Sequence, residues 1–283
     1  MTAKDLQTQM RESGFYATDT GRHRSLAERF LGRFDTWYYL HLVLIVRRGC
    51  RAARRGNFNA HTWAECSMLS LKNIERCGGT VRIEGGRAVA QVGGPVVYVA
   101  NHMSMLETFI LPVVLLSFGD LTTVVKRSLM GYPLFGEILH AVEPICVGRQ
   151  NPRDDLRCVM EQGREQVLRG RSALLFPQAT RSVSFNTAEF NTLGVKLAAR
   201  AGVPVVPLAL KTSFQGIGRR IREFGPIDRT QTVHVCFGAP MTVSGNGRAQ
   251  HEQAVRFLAG KLRSWSVPVV EPAAGPPARA EAG

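Results

Sequence analysis

His102 and Glu107 stand five residues apart, just after the apolar run Val96-Val97-Tyr98-Val99-Ala100. Imidazole titrates near neutrality, and a carboxylate on one ring nitrogen fixes its tautomer and stabilises the imidazolium, so the pair can serve as a general base with its orienting group. On a regular helix, positions i and i+5 lie about 140° apart and do not meet. They meet if His102 stands on a turn outside the helix and Glu107 lies in the first helical turn. That arrangement suits deprotonation of a substrate hydroxyl. Ser104-Met105-Leu106-Glu107 is also an S-x-x-E capping box, in which Glu107 only reaches back to cap the helix. The local sequence leaves both uses open.

The elements around the pair read as an α/β unit. The run from Val96 follows the turn residues Gly93-Gly94-Pro95 and has the β-branched and aromatic character of a buried strand. Asn101-His102 falls where that strand emerges, and open α/β sheets bind ligands at the carboxyl ends of their strands. Strand patterns recur over 80–84, 88–92, 121–126, 173–177, 203–210 and 232–237, with a short apolar run over 144–147. Helical patterns lie between them over 105–117, 134–140, 153–169 and 190–201, the last closed by the C-cap signal Gly202, and residues 178–186 read as a polar loop. This alternation predicts an α/β fold with a mixed, partly parallel sheet flanked by helices.

Ahead of the sheet, residues 1–24 are polar and read as a flexible arm. Residues 25–77 read as a helical hairpin. Its first helix carries Leu26, Phe30, Leu31 and Phe34, then the apolar stretch from Trp37 to Val46, and ends in Arg47, Arg48, Arg51, Arg54 and Arg55; the second spans about 62–77. Aromatics at one end and arginines at the other are the pattern of an interfacial helix; a buried helix ending in solvated arginines has the same composition. The α/β domain then covers 78–266, and 267–283 reads as a disordered tail.

Lys and Arg total 36 against 22 Asp and Glu, a net charge of +14 that implies an anionic partner: nucleic acid, a phospholipid surface or a phosphorylated substrate. The basic residues do not interleave with aromatics as in a nucleic-acid module, so no nucleic-acid partner is expected. The six cysteines include no C-x-x-C pair and read as reduced thiols of a cytosolic compartment, with no metal site. No run approaches the roughly 18 apolar residues of a spanning helix, and residues 1–24 lack a signal-peptide core.

Four motifs in order resemble those of the glycerolipid acyltransferases, the lysophosphatidate acyltransferase superfamily. Asn101-His102-Met103-Ser104-Met105-Leu106-Glu107 resembles N-H-x-S-x-x-D. Lys126-Arg127-Ser128 through Cys146-Val147-Gly148-Arg149 resembles the lysine-bearing strand and the second motif, which ends in arginine. Phe176-Pro177-Gln178-Ala179-Thr180-Arg181-Ser182 resembles F-P-E-G-T-R-S, and Val203-Pro204-Val205-Val206-Pro207-Leu208 resembles V-P-x-x-P-V. The resemblance spans about 94–210. It implies acyl transfer from acyl-CoA or acyl carrier protein to the hydroxyl of a lysophospholipid such as 1-acylglycerol-3-phosphate, in phospholipid biosynthesis, with no metal or redox cofactor. His102 is then the general base and Glu107 its orienting group. Asn101, Ser104, Lys126, Arg149, Phe176, Pro177, Gln178, Ala179, Thr180 and Arg181 are the candidate substrate-binding residues, with Arg149 and Arg181 as ligands of the acceptor phosphate. The helical hairpin is similar to the family's membrane-docking pair, which implies a peripheral or monotopic protein on the cytoplasmic face of a membrane.

The match departs in places. Glu107 replaces aspartate, Gln178 replaces glutamate, Ala179 replaces glycine, and Phe190-Asn191-Thr192-Leu193-Gly194 stands where F-K-K-G is usual, with Lys196 as a possible substitute for the missing lysines. A neutral amide at 178 can donate as well as accept. The altered third motif motivates a second expectation, a catalytically silent lipid-binding protein of the same fold.

Overall fold

The computed structural model describes residues 1–21, 26–133, 135–178 and 180–271. In chain order the elements are α1 (Ala3–Glu12), β1 (Tyr16–Ala17), α2 (Leu26–Leu31), α3 (Asp35–Arg54), α4 (Ala60–Arg76), β2 (Val81–Glu84), α5 (Gly86–Ala90), β3 (Val97–Ala100), α6 (Leu106–Leu115), β4 (Leu121–Lys126), α7 (Phe135–Val142) and β5 (Ile145–Val147). Then come α8 (Pro152–Leu168), β6 (Ser172–Leu175), β7 (Phe185–Asn186), α9 (Leu193–Ala201), β8 (Val205–Lys211), β9 (Val233–Phe237), α10 (Arg248–Ser264) and β10 (Val269–Val270).

The main sheet has eight strands in the order β1-β2-β9-β8-β3-β6-β4-β5. From β8 to β5 every neighbouring pair is parallel, so five strands bring their carboxyl ends to one edge. The sheet is mixed because β9 runs antiparallel to β8 and β1 antiparallel to β2. Central strand β3 is buried along its length. Val96, Tyr98 and Ala100 face a layer that includes Leu71 and Ile74 of α4 and Leu106 and Ile110 of α6, whereas Val97 and Val99 face Val159 of α8, Leu197 of α9 and Leu258 of α10. A parallel strand covered on both faces reads as an unbroken apolar run, which is the pattern from Val96 to Ala100.

Gly194 lets α9 approach β3. A Cβ there would stand 2.2 Å from Val99 Cγ1. Helices α3 and α4 pack on each other, as expected of the hairpin. Helix α3 buries Tyr38, Leu42 and Cys50 and leaves Leu40, Val43 and Leu44 exposed.

Several expectations change. Residues 3–17 are not a loose arm: Thr2 and Asp5 form a capping box on α1, Ala3, Leu6 and Met10 are buried, and β1 extends the sheet through Tyr16 opposite Ile83. Three apolar residues at i, i+3 and i+7 make a helical stripe that the polar composition hides. Residues 22–25, which include the end of the expected arm and the start of the hairpin, lie outside the described residues.

The first hairpin helix is divided, with α2 ending before Gly32 and α3 starting at Asp35. Residues 86–90 form α5, not a strand, because β2 already has β1 on one side and β9 on the other. Helix α10, unread in the sequence, rests on Ala254, Leu258, Ala259 and Leu262, spaced i, i+4, i+5 and i+8 in a polar setting. The expected polar loop over 178–186 contains β7, and the first residues of the expected tail pair with it, Val269 opposite Phe185. Residues 272–283 lie outside the described residues.

Candidate active site

The carboxyl ends of β3, β6 and β8 meet at the candidate site. His102 follows β3 by two residues, Phe176 directly follows β6, and Thr212 directly follows β8. The His102 ring stacks on Phe176, with centroids 4.2 Å apart and 26° between planes. Its Nδ1 contacts Glu107 Oε2. With the Nδ1 proton directed at the carboxylate, Nε2 of the neutral ring carries the free lone pair; it has no hydrogen-bond partner among the described residues. The His102 side chain is 19% exposed and that of Glu107 0%.

Glu107 performs both of the tasks its position allows. Oε2 holds the imidazole, while Oε1 accepts the backbone N–H groups of Met103 (2.8 Å) and Ser104 (3.0 Å) and the Thr212 hydroxyl (2.6 Å). The two N–H groups lie just ahead of α6, where the helix dipole also favours a negative group. Four donors on one fully buried carboxyl group leave it little freedom to rotate, so the imidazole it holds is fixed in direction.

Asn101 and Ser104 are fully used by the protein. The Asn101 amide donates to the Leu210 carbonyl and accepts the Leu210 N–H, both at 2.8 Å, fastening the end of β3 to β8. The Ser104 hydroxyl accepts from Leu106 N–H (3.2 Å) and donates towards Thr212, 3.0 Å from its Oγ1 and 3.3 Å from its carbonyl oxygen. Both residues are buried. Their geometry is that of positioning groups, in contrast to the substrate contacts expected of them.

The third motif clamps the peptide of His102 from both sides. Gln178 Oε1 accepts the His102 N–H (3.1 Å), and the Ser182 N–H donates to the His102 carbonyl (2.9 Å). Gln178 is 2% exposed, and its Nε2 is buried without a partner among the described residues. Since only the amide oxygen can satisfy a backbone N–H, the orientation of that amide is set by His102. Pro177 accepts the Asn191 side-chain amide on its carbonyl at 2.6 Å, so Asn191 braces the loop. Thr180 is exposed, Ala179 lies outside the described residues, and the Arg181 guanidinium pairs with Glu223 at 2.7 Å.

Lys126 ends β4, and Arg149 follows β5 by two residues, so both stand on the same sheet edge as His102, exposed. The Gly148 and Arg149 N–H groups donate to the Asp155 carboxylate (2.8 and 2.9 Å), and Arg149 has a φ of 59°. Lys196 is exposed on α9.

Thr212 and Glu223 of this constellation were not anticipated, and Asn191 was read only as a residue standing where a lysine of F-K-K-G is usual. Thr212 had a weak signal, a polar residue at the end of a buried strand, the same rule that picks out Asn101-His102. Glu223 had none.

A mostly parallel, three-layer α/β fold with a buried carboxylate holding a histidine at its strand ends defines the class. Residues 80–211 match the model of the family described as Acyltransferase. The fold resembles that of the 1-acyl-sn-glycerophosphate (LPA) acyltransferase PlsC from Thermotoga maritima, with a TM-score of 0.52 and 19% identity over 84% of this chain and 98% of that one. Among sequence relatives, a 1-acyl-sn-glycerol-3-phosphate acyltransferase of Pseudomonas aeruginosa is 31% identical over 171 residues, 60% of this chain and 62% of the relative. One from Cocos nucifera is 26% identical over 174 residues, 62% of this chain. The chain thus spans 62% and 53% of the lengths of these two relatives.

Proposed function

We propose that the protein is a lysophospholipid O-acyltransferase that moves an acyl chain from acyl-CoA or acyl carrier protein to the free hydroxyl of 1-acylglycerol-3-phosphate, in phospholipid biosynthesis. The observation that carries this reading is the bridging of Glu107, which holds His102 by one oxygen and is itself fixed by three donors on the other. The family match over residues 80–211 and the relatives' names support the choice of acyl transfer and of acceptor.

In this reading Nε2 of His102 takes the proton of the acceptor hydroxyl as its oxygen attacks the thioester carbonyl. Glu107 stabilises the imidazolium that forms. The tetrahedral intermediate collapses with cleavage of the C–S bond, and the imidazolium returns its proton to the departing thiolate, so the ester and the free thiol are the products. Phe176 shields one face of the imidazole. Arg181 and Arg149 bind the acceptor phosphate, for which a guanidinium fork is suited. Lys126, Pro177, Gln178, Ala179 and Thr180 complete the surroundings of the substrates.

The protein works at a membrane surface, peripherally and on the cytoplasmic side. Exposed Leu26, Phe30, Phe34, Leu40, Val43 and Leu44 of the N-terminal helices, beside the arginines of α3, support this. No helix among the described residues is long and apolar enough to cross a membrane.

The test is mass spectrometry of lipids formed by the purified protein from lysophosphatidate and acyl-CoA. His102→Ala is expected to abolish the product while the circular dichroism spectrum is unchanged. Turnover near that of the unmodified protein would refute the role of His102. Liposome binding with no turnover across a panel of donors and acceptors would favour the silent lipid binder.

A further inference from the structure

Residues 216–226, between β8 and β9, form a loop closed upon itself. Gln215 and Ile227 pair as an antiparallel bridge, and the Gly216 N–H donates to the Pro226 carbonyl at 2.9 Å, so the two ends are fastened together. Inside the loop the Gly218 N–H donates to the Arg222 carbonyl (3.3 Å) and the Phe224 N–H to the Ile221 carbonyl (3.0 Å). A Cβ at Gly218 would stand 2.0 Å from the Ile221 carbonyl oxygen, so only glycine lets the chain fold back this tightly. The apolar side chains of this ordered loop nevertheless face outward. Ile221 is 56% and Phe224 49% exposed, and Arg219, Arg220 and Arg222 are exposed beside them.

The loop is strapped to α3. The Tyr39 hydroxyl donates to the Gly225 carbonyl (2.5 Å), and its ring packs edge-on against Phe224, with centroids 5.0 Å apart. Just past the loop, Arg229 pairs with Asp35 at 2.9 Å. Tyr39 and Val43 are four residues apart and so are neighbours on α3; Val43 is exposed, with Leu40 and Leu44 beside it. The tip of the loop therefore continues the exposed apolar face of α3. Followed along the helix, that face passes from Leu40 and Val43 to Arg47, Arg51 and Arg55, and residues 36–55 include no Asp or Glu. The one carboxylate of the loop, Glu223, is turned inward onto Arg181 at 2.7 Å. Loop and helix thus share one apolar surface bordered by arginines.

We infer that the loop over residues 216–226 is a second membrane-contact element, which sinks Ile221 and Phe224 into an anionic phospholipid surface and lays Arg219, Arg220 and Arg222 on its headgroups. Apolar side chains bordered by cations, with the nearby carboxylates of Asp35 and Glu223 already paired, match such a surface, which offers hydrocarbon to the first and phosphate to the second. The loop also sets how the site faces the bilayer. Arg222 Nη2 donates to the Arg181 carbonyl at 3.5 Å, and Arg181 precedes Ser182, whose N–H holds the His102 carbonyl. Lipid contact at the tip therefore places the third motif beside the surface from which a lyso-acceptor arrives. Two strapped elements fix an orientation that one helix, free to roll about its axis, would leave open.

This inference rests on the proposed membrane association and is separable from it by variant. The first measurement is co-sedimentation of the full chain with vesicles of phosphatidylcholine alone and of equimolar phosphatidylcholine and phosphatidylglycerol. Replacing Arg219 and Arg220 together by Ser is expected to weaken binding to the anionic vesicles about 25-fold, roughly fivefold for each charge near such a surface. Binding to phosphatidylcholine should not change, and the anionic difference should shrink as salt is raised. Ile221→Ser should weaken binding to both vesicles roughly tenfold, through lost apolar burial. If Leu40→Ser weakens binding while the loop variants bind like the unmodified protein, α3 docks alone and the inference is overturned, with membrane association intact. An unmodified protein that stays in solution with both vesicles overturns the membrane reading and the inference together.

The second measurement asks whether the tip enters the bilayer. Ile221→Trp adds one indole to Trp37, Trp63 and Trp265. The added emission, taken as the difference between variant and unmodified protein, is expected to shift to the blue with anionic vesicles and to be quenched when their acyl chains carry bromine. An added emission that the vesicles leave unchanged, in a variant that still sediments with them, overturns the inference. Thermal melts of all variants confirm that folded proteins are compared.

Discussion

Thr212, directly after β8, places its hydroxyl 2.6 Å from Oε1 of Glu107, a residue 105 positions earlier in the chain. Oε1 is the oxygen that also caps the start of α6, and Oε2 is the one that holds His102. The direction of the imidazole therefore depends on the packing of β8 beside β3.

Replacing Thr212 with Val keeps the side-chain volume and removes that donor. Glu107 is left with two donors on a buried oxygen, and the Ser104 hydroxyl keeps only the Thr212 carbonyl as an acceptor. A loss of about 1–3 kcal/mol in stability is expected, together with a fall in kcat of roughly tenfold. Thr212→Ser should restore both. Urea titration and steady-state kinetics on the three proteins check this, and full activity in the Val variant would show that Glu107 needs no support from β8.

Glu107→Gln tests the tautomer. The single oxygen of the amide must face the Met103 and Ser104 N–H groups and the Thr212 hydroxyl, so its NH2 group turns to His102 Nδ1. Nδ1 must then accept, which moves the ring proton to Nε2, where the base is needed. The expected loss in kcat is on the order of 10³–10⁴-fold with the fold retained. The ¹⁵N shifts of the His102 ring should exchange their protonated and unprotonated positions; unchanged shifts would refute the assignment.

At Gly194 a methyl group would meet Val99 Cγ1 at 2.2 Å, so α9 must move off β3. Gly194→Ala is expected to cost about 1–3 kcal/mol. Since β3 leads directly into Asn101-His102, kcat should fall as well. A thermal melt unchanged from the unmodified protein would contradict the close approach.

Acid should weaken the Arg181–Glu223 pair in a defined direction. The hydrogen bond from Arg181 is the main cause that holds the Glu223 carboxyl below its ordinary value near 4.5, against a smaller opposing effect of burial. The unfolded chain takes up the proton at higher pH than the folded one, so the pair adds stability above the unfolded value and loses it as pH falls through the folded one. The pair is half-exposed, and its contribution at neutral pH should stay below about 1 kcal/mol. The stability difference between the unmodified protein and Glu223→Gln should shrink between about pH 7 and about pH 3; a constant difference would show that the ion pair does not contribute.

Read alone, the sequence determined the features carried by local pattern. The run from Val96 to Ala100 announces a buried strand, and helix geometry requires His102 to stand outside the helix if it is to meet Glu107. The four ordered motifs over about 94–210 resemble those of the family whose model matches residues 80–211. Local pattern failed where a residue's role depends on a distant partner. Ala3, Leu6 and Met10 look like part of a loose arm until α5 and α6 supply the surface that buries them, and residues 88–92 alternate like a strand although β2 has both neighbours filled. Asn101 and Ser104 belong to the motif, yet both spend their polar groups on β8 and its end.

Whether Glu107 caps the helix or steers the histidine was undecidable from residues 101–107, because each use satisfies the local chemistry. Tertiary structure decided that it does both, since Thr212 arrives from β8 to complete the partners of one oxygen and leaves the other for His102. Gln178, clamped on the His102 N–H, and Glu223, seated on Arg181, were settled in the same way. Hydrogen bonds between residues 42 to 105 positions apart are products of how the strands are ordered in the sheet, and no short-range pattern in the chain records them.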